Sequence, residues 1–216
     1  MNVASLERAL TPCLLRVALE DSCYRNSTSC GDKSYRRAAV MVVVYGNPPA
    51  VIMTVKPMYM KLHAGEISFP GGKSEDCDAD MLDTALRETQ EEINLHLEPI
   101  QIAGRLDIVT TLTTGFVIVP YVAILDDRPD VRPNSEVERI LEIPLGALLD
   151  SMLPDTDPDH NAVQGMYTFS YGDAQIWGAS ARILKQMHDM VVCKLVGGGE
   201  EDSTNGMRTG TRSPVI

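Results

Sequence analysis

Two short apolar runs rich in β-branched residues, 38–45 (AAVMVVVY) and 50–55 (AVIMTV), flank Gly46-Asn47-Pro48-Pro49, a pattern that predicts two strands around a turn. Further strands are predicted over 100–110 and 115–125. Between the pairs the apolar spacing becomes helical over 79–95. At about 100° per residue, Leu82, Ala85, Leu86, Thr89 and Ile93 share one face, suited to packing on a sheet. Asp78 is the expected N-cap, with Asp80 and Asp83 in the first turns, and Asn94 stands where a helix-ending residue belongs. Residues 144–153 predict a short helix, 167–177 a hairpin around Gly172-Asp173, and 179–192 another helix. Helical spacing over 6–17 followed by a Ser, Asn and Cys-rich stretch makes residues 1–35 a partly helical extension. The main domain is expected to span 36–195, and residues 196–216 have too little to bury to predict order.

Charge narrows the partners. Nineteen Lys and Arg against 30 Asp and Glu give a formal charge of −11, which opposes broad attraction to nucleic acid or to an anionic membrane. No run approaches a membrane span, and the N-terminus lacks a basic start followed by an apolar stretch. Cys13, Cys23, Cys30, Cys77 and Cys193 are odd in number and widely spaced, as expected of reduced thiols in a cytoplasmic protein.

The chemistry concentrates on the central helix. Glu88, Glu91 and Glu92 fall on one side of it within about one turn, where neighbours three or four apart lie roughly 5–6 Å between Cβ atoms. Carboxylates that close repel, by up to about 4 kcal/mol per pair at 4 Å and an effective dielectric near 20. Arg87, four residues before Glu91, offsets only part of this. Alone, such a string reads as a solvated helix face. Just upstream, however, Gly65-Glu66-Ile67-Ser68-Phe69-Pro70-Gly71-Gly72 places paired glycines where a phosphate or a metal could meet the main chain. Hard cations such as Mg²⁺ or Mn²⁺ take oxygen ligands and often bridge carboxylates to substrate phosphates.

The segment GGKSEDCDADMLDTALRETQEEINL, residues 71–95, resembles the Nudix box. Gly72 stands at the opening glycine, and Arg87, Glu88, Glu91, Glu92 and Leu95 match it residue for residue. Three positions depart: Asp78 replaces the first Glu and precedes Arg87 by eight intervening residues instead of seven, Thr89 replaces an apolar residue, and Asn94 replaces Gly. The Asp and the extra residue resemble the coenzyme A pyrophosphatase branch. So does IMTVKPMYMKLHAGEISFPGG, in which Thr54, Gly65, Phe69, Pro70, Gly71 and Gly72 hold the register of that branch's upstream signature. Lys56 and Lys61 stand for its arginines, keeping charge but losing the bidentate fork, and Pro57 stands for its Ser. Segments 135–137, 143–145 and 176–182 are also similar to that branch.

The resemblance implies an α/β Nudix fold, a mixed β-sheet sandwiched between α-helices. It implies metal-dependent hydrolysis of a pyrophosphate bond, with coenzyme A or acyl-coenzyme A cut to 3′,5′-ADP and 4′-phosphopantetheine. ADP-ribose, a dinucleotide or a capped RNA end are alternative substrates, and a noncatalytic binding module is a further alternative. Glu88, Glu91 and Glu92, with the Gly72 carbonyl, would hold Mg²⁺ or Mn²⁺, acidifying the attacking water, and Arg87 would orient the carboxylates. Glu88 and Glu136 are alternative general bases, although Glu136 reads equally as an exposed loop residue. Lys56, Lys61, Gly71 and Gly72 would meet substrate phosphates, the two lysines reading otherwise as plain surface. His63 reads as shaping its loop, and Trp177, Tyr167, Phe169 and Tyr171 as packing residues. The expected partner is a small nucleotide, and a homodimer is allowed.

Overall fold

In the computed structural model, residues 6–21, 36–59, 64–111, 115–157, 160 and 166–197 are described. The long apolar runs become the middle of a mixed sheet. Strand β1 (Arg36–Tyr45) runs parallel to β7 (Phe116–Leu125) along its whole length and antiparallel to β2 (Ala50–Val55) at Val43–Tyr45. Both faces of β1 are covered, which is why its sequence is continuously apolar and not alternating. Val42 and Val44 pack into one core layer, Ala39, Met41 and Val43 into the other.

Toward the N-terminal half of β1, the strands β1 and β2 part company. Strand β3 (Ile67–Ser68) pairs with Thr54 and Val55 of β2, and β4 (Gly71–Lys73) pairs with Ala38–Val40 of β1. The Met41 N–H donates to the Pro70 carbonyl between them, at 2.9 Å. The Phe69-Pro70-Gly71-Gly72 segment is thus wedged into the sheet where two central strands diverge, as a strand-like arch and not simply a turn.

Helix α3 (Met81–Ile93) covers one face of the sheet, with Ala85 and Ile93 fully buried and Leu82 and Leu86 packed beside them. Helices α1 (Leu6–Ala9), α2 (Pro12–Asp21), α4 (Leu145–Asp150) and α5 (Gly178–Gly197) belong to the other face. Leu6, Leu10, Leu15 and Leu19 lie in the same core layer as Val42 and Val44, so residues 6–21 contribute to the main core. Strand β8 (Arg139–Pro144) pairs along β2, and β9 (Leu153–Pro154), β10 (Tyr167–Tyr171) and β11 (Ala174–Ile176) form a small second sheet. Residues 167–177 form the expected hairpin, with Gly172 at φ 60° in its turn.

Three sequence expectations need correction, and one strand was not foreseen. The strand expected over 100–110 is a 3-10 turn (Pro99–Gln101), then β5 (Ile102–Arg105) and β6 (Val109–Thr110), both paired with β7. Pro99 removes a ladder donor at the start of that stretch. The helix expected over 144–153 stops at Asp150, and β8 was not foreseen from RILEIP. Finally, Asp78 is not the cap of α3. Asp80 is: its carboxylate accepts from Leu82 N and Asp83 N at 2.8 and 2.9 Å. Among the described residues no helix is long and apolar enough to cross a membrane.

Candidate active site

Helix α3 aims its charged side at the wedge. Its start is fixed by Asp80, and its end by Asn94, whose φ of 54° is the left-handed conformation that closes a helix. The loop after β7 then satisfies two carbonyls at that end, with Arg132 N donating to Ile93 O at 2.9 Å and Asn134 N to Glu92 O at 3.0 Å. Glu88, Glu91 and Glu92 therefore sit on a rigid turn held at both ends.

Glu92 is only 2% exposed. One of its oxygens accepts from Lys56 Nζ at 2.6 Å, the other from Gly71 N at 3.1 Å. A buried carboxylate needs this pairing, because desolvating an unpaired charge costs several kcal/mol. Glu88 lies against the next residue: a Cβ placed on Gly72 would fall 2.5 Å from the Glu88 carboxylate. The glycine lets backbone and carboxylate touch. Burial raises the proton affinity of Glu88 above that of an ordinary carboxylate, with Arg87 pulling the other way and Glu92 and Glu91 adding to the rise. Glu91 is the exposed member.

Arg87 binds the cluster into one unit. Its Nε donates to Asp78 Oδ1 at 2.8 Å and Nη2 to Asp78 Oδ2 at 3.2 Å, while Nη2 also reaches the Lys73 carbonyl at 3.0 Å. Nη1 spans Glu88 and Glu91 at 3.1 and 3.3 Å. Asp78 also accepts from Glu75 N and the Thr84 hydroxyl, both at 2.8 Å. The Arg87 guanidinium and these further donors hold its carboxyl well below the usual range. The partnership with Asp78 in turn holds the guanidinium firmly protonated. Asp78 anchors the arginine that holds Glu88 and Glu91, which is why a helix starting three residues later still needs it.

Arg87, Glu88, Glu91, Glu92, Gly71, Gly72 and Lys56 are thus brought together. Glu136 is exposed on the loop that closes α3, its N–H donating to Asn134 Oδ1 at 2.8 Å. Lys61 and His63 lie outside the described residues. Trp177 stacks on His160, ring centroids 4.3 Å apart, and Phe169 is fully buried, so these two aromatic residues serve packing, whereas Tyr171 is exposed. Tyr59, which sequence reasoning passed over, is exposed beside the cluster with its hydroxyl on the Ser135 carbonyl at 2.6 Å. Its place three residues after Lys56 was the only sequence signal available.

The donor set suits a hard divalent cation in its chemistry, being carboxylate oxygens beside a glycine backbone that a Cβ would block. In the present arrangement Lys56 and Arg87 supply the balancing charge, and among the described residues no three acidic, His or Cys side chains converge closely enough to hold a metal.

Comparison with known proteins agrees with this anatomy. The NUDIX domain matches residues 35–163, more than half of the chain. The Nudix hydrolase NudL of Photorhabdus laumondii is 31% identical over 160 residues, covering 72% of this chain and 85% of the relative. NudL of Cronobacter sakazakii is 36% identical over 127 residues, covering 58% and 66%. A MutT/nudix family protein of Enterococcus faecalis shares the fold at a TM-score of 0.55 and 14% identity, covering 87% of this chain and 71% of its own. With the arginine-organised glutamates on a capped helix and these relatives, the chain belongs to the Nudix family and is a Nudix hydrolase.

Proposed function

We propose that this Nudix hydrolase cleaves the pyrophosphate bond of a nucleoside diphosphate derivative with the help of Mg²⁺ or Mn²⁺, and that coenzyme A or an acyl-coenzyme A is its substrate. The products would be 3′,5′-ADP and 4′-phosphopantetheine. The carrying observation is the glutamate cluster on α3: Arg87 holds Glu88 and Glu91, Glu88 lies against Gly72, and Glu92 accepts from Gly71 N and Lys56. The coenzyme A assignment rests on less: the upstream match at Thr54, Gly65, Phe69 and Pro70 and the long spacing from Asp78 to Arg87.

Glu88, Glu91 and Glu92, with the carbonyl of Gly72, would hold the cation. When bound it supplies charge neutralisation at the pyrophosphate and acidifies the attacking water. Arg87, anchored on Asp78 through Nε and Nη2, fixes Glu88 and Glu91 through Nη1. Glu88, lying against the Gly72 backbone, is one candidate to take the proton from the water. Glu136 is the alternative base, carried by the loop that docks on the end of α3. Lys56 meets substrate phosphate from the Glu92 side of the cluster, with Lys61 five residues on in the sequence as a second phosphate contact, and Gly71 and Gly72 let the phosphates approach the main chain.

The test is a panel of coenzyme A, acetyl-coenzyme A, ADP-ribose and a dinucleoside polyphosphate with Mg²⁺ or Mn²⁺, products resolved by chromatography. Coenzyme A or its acyl form should be cut fastest, and Glu92→Gln should lower turnover on the order of 100-fold. ADP-ribose turning over far faster would overturn the substrate and leave the class standing. That second reading has its own support in Lys56, where the branch signature carries arginine and whose ammonium is engaged by Glu92.

A further inference from the structure

Tyr59 is 75% exposed and Met58 74% exposed, on the arm that leaves β2 at Lys56. Two adjacent large side chains are thus displayed openly, two and three residues past the lysine that pairs with Glu92. The arm is not loosely attached. Lys56 N donates to Glu66 O at 2.9 Å and Gly65 N to Lys56 O at 3.0 Å, closing its base. Gly65, at φ 71°, takes Met58 so closely that a Cβ would fall 2.9 Å from its sulfur. The Tyr59 hydroxyl is spent on the Ser135 carbonyl. Ser135 follows Asn134, whose N–H caps the Glu92 carbonyl. Tyr59 itself is three residues from Lys56, so about 10 Å of chain at most separates it from the residue that grips Glu92.

Tyr59, three residues along the chain from Lys56, is therefore held at its hydroxyl by Ser135, while most of the side chain stays exposed. A ring fixed at its hydroxyl and open on its face offers a planar aromatic group a surface whose ordering cost is already met. Stacking of this kind is worth about 1–3 kcal/mol per base and suits a strongly acidic protein, because it needs no cation. From these contacts we infer that Tyr59 is a specificity-determining residue that stacks on the nucleobase of the substrate. The inference deepens the proposed function and rests on its nucleotide reading.

The experiment measures binding of AMP and of ribose 5-phosphate, which carries the same phosphate and no base, to the full chain, with steady-state kinetics alongside. The wild type should prefer AMP. Tyr59→Ala should weaken AMP by about 5- to 100-fold and leave ribose 5-phosphate unchanged, raising KM for the nucleotide substrate while kcat stays within about threefold. Tyr59→Phe, which keeps the ring and loses the bond to Ser135, should retain most of the preference. A wild type indifferent to the base, or a Tyr59→Ala variant that keeps its preference, overturns the inference. Base preference lost in Tyr59→Ala while the wild type hydrolyses no diphosphate would instead uphold Tyr59 and overturn the hydrolytic assignment to this class of substrate.

Discussion

A methyl group at Gly72 would meet the Glu88 carboxylate at 2.5 Å, whereas one at Gly71 would meet the Ala39 carbonyl oxygen at 2.3 Å. The first neighbour is the end of a side chain and can yield; the second is the backbone of the central strand and cannot. Gly71 also sits at φ 151°, where a side chain is strained, and Gly72 does not. Gly72→Ala should therefore fold, with a thermal midpoint within a few degrees of wild type. Its Glu88 would be displaced, and turnover should fall about 10- to 100-fold, the range seen when groups that orient site ligands are disturbed. Gly71→Ala should lose the folded protein itself, read as absence of a cooperative melting transition. Equal behaviour of the two variants would show that Gly72 has no special relation to Glu88.

At the scale of the helix, α3 was the most legible part of the molecule, because its apolar stripe, closing Asn94 and three glutamates all follow one periodicity. Its start was misread for a physical reason. Asp78, Asp80 and Asp83 are all able to accept from free N–H groups, and only the fold decides that Asp80 caps while Asp78 turns back to Arg87. Strands β3 and β4 were illegible because two or three residues carry no period, and β8 because its apolar and polar positions are mostly half-buried. Tyr59 was missed because exposure and a hydroxyl contact with residue 135 are long-range facts. The role of Asp78 makes a pH prediction. Its folded pKa is depressed by Arg87, so its stabilising contribution is present above the unfolded value near 3.9 and is lost as pH falls through and below it. Asp78→Asn should lower stability at pH 7 by about 2–3 kcal/mol in urea titrations. The gap should hold down to about pH 5 and narrow below about pH 4. A gap independent of pH would mean that the ion pair with Arg87 does not set it.

Across the whole molecule, the sheet separates two tasks. One face carries α3 and the glutamate cluster; the other is built by α1, α2, α4 and α5, including a segment from before β1 whose packing the sequence could not reveal, since four leucines spaced over residues 6–19 do not say what they face. The contacts are specific. Asp150, at the end of α4, accepts from Leu6 N at 3.0 Å and Glu7 N at 3.3 Å, and Arg16 donates to the Ile124 carbonyl in β7 at 2.9 Å. Gly146 lets α4 approach so closely that a Cβ there would lie 2.4 Å from Glu7 Cα. Leu15 is fully buried in this layer. Removing its side chain should cost about 2–5 kcal/mol, the range for leucine-to-alanine changes in packed cores. At roughly 2–4 °C per kcal/mol for a chain of this size, Leu15→Ala should lower the melting midpoint by about 4–20 °C in a single transition. Because α2 is on the face away from the glutamates, KM for the diphosphate substrate should stay within about twofold below that midpoint. A variant that melts like the wild type would mean that α2 is a separable appendage and that the sheet closes its core without it.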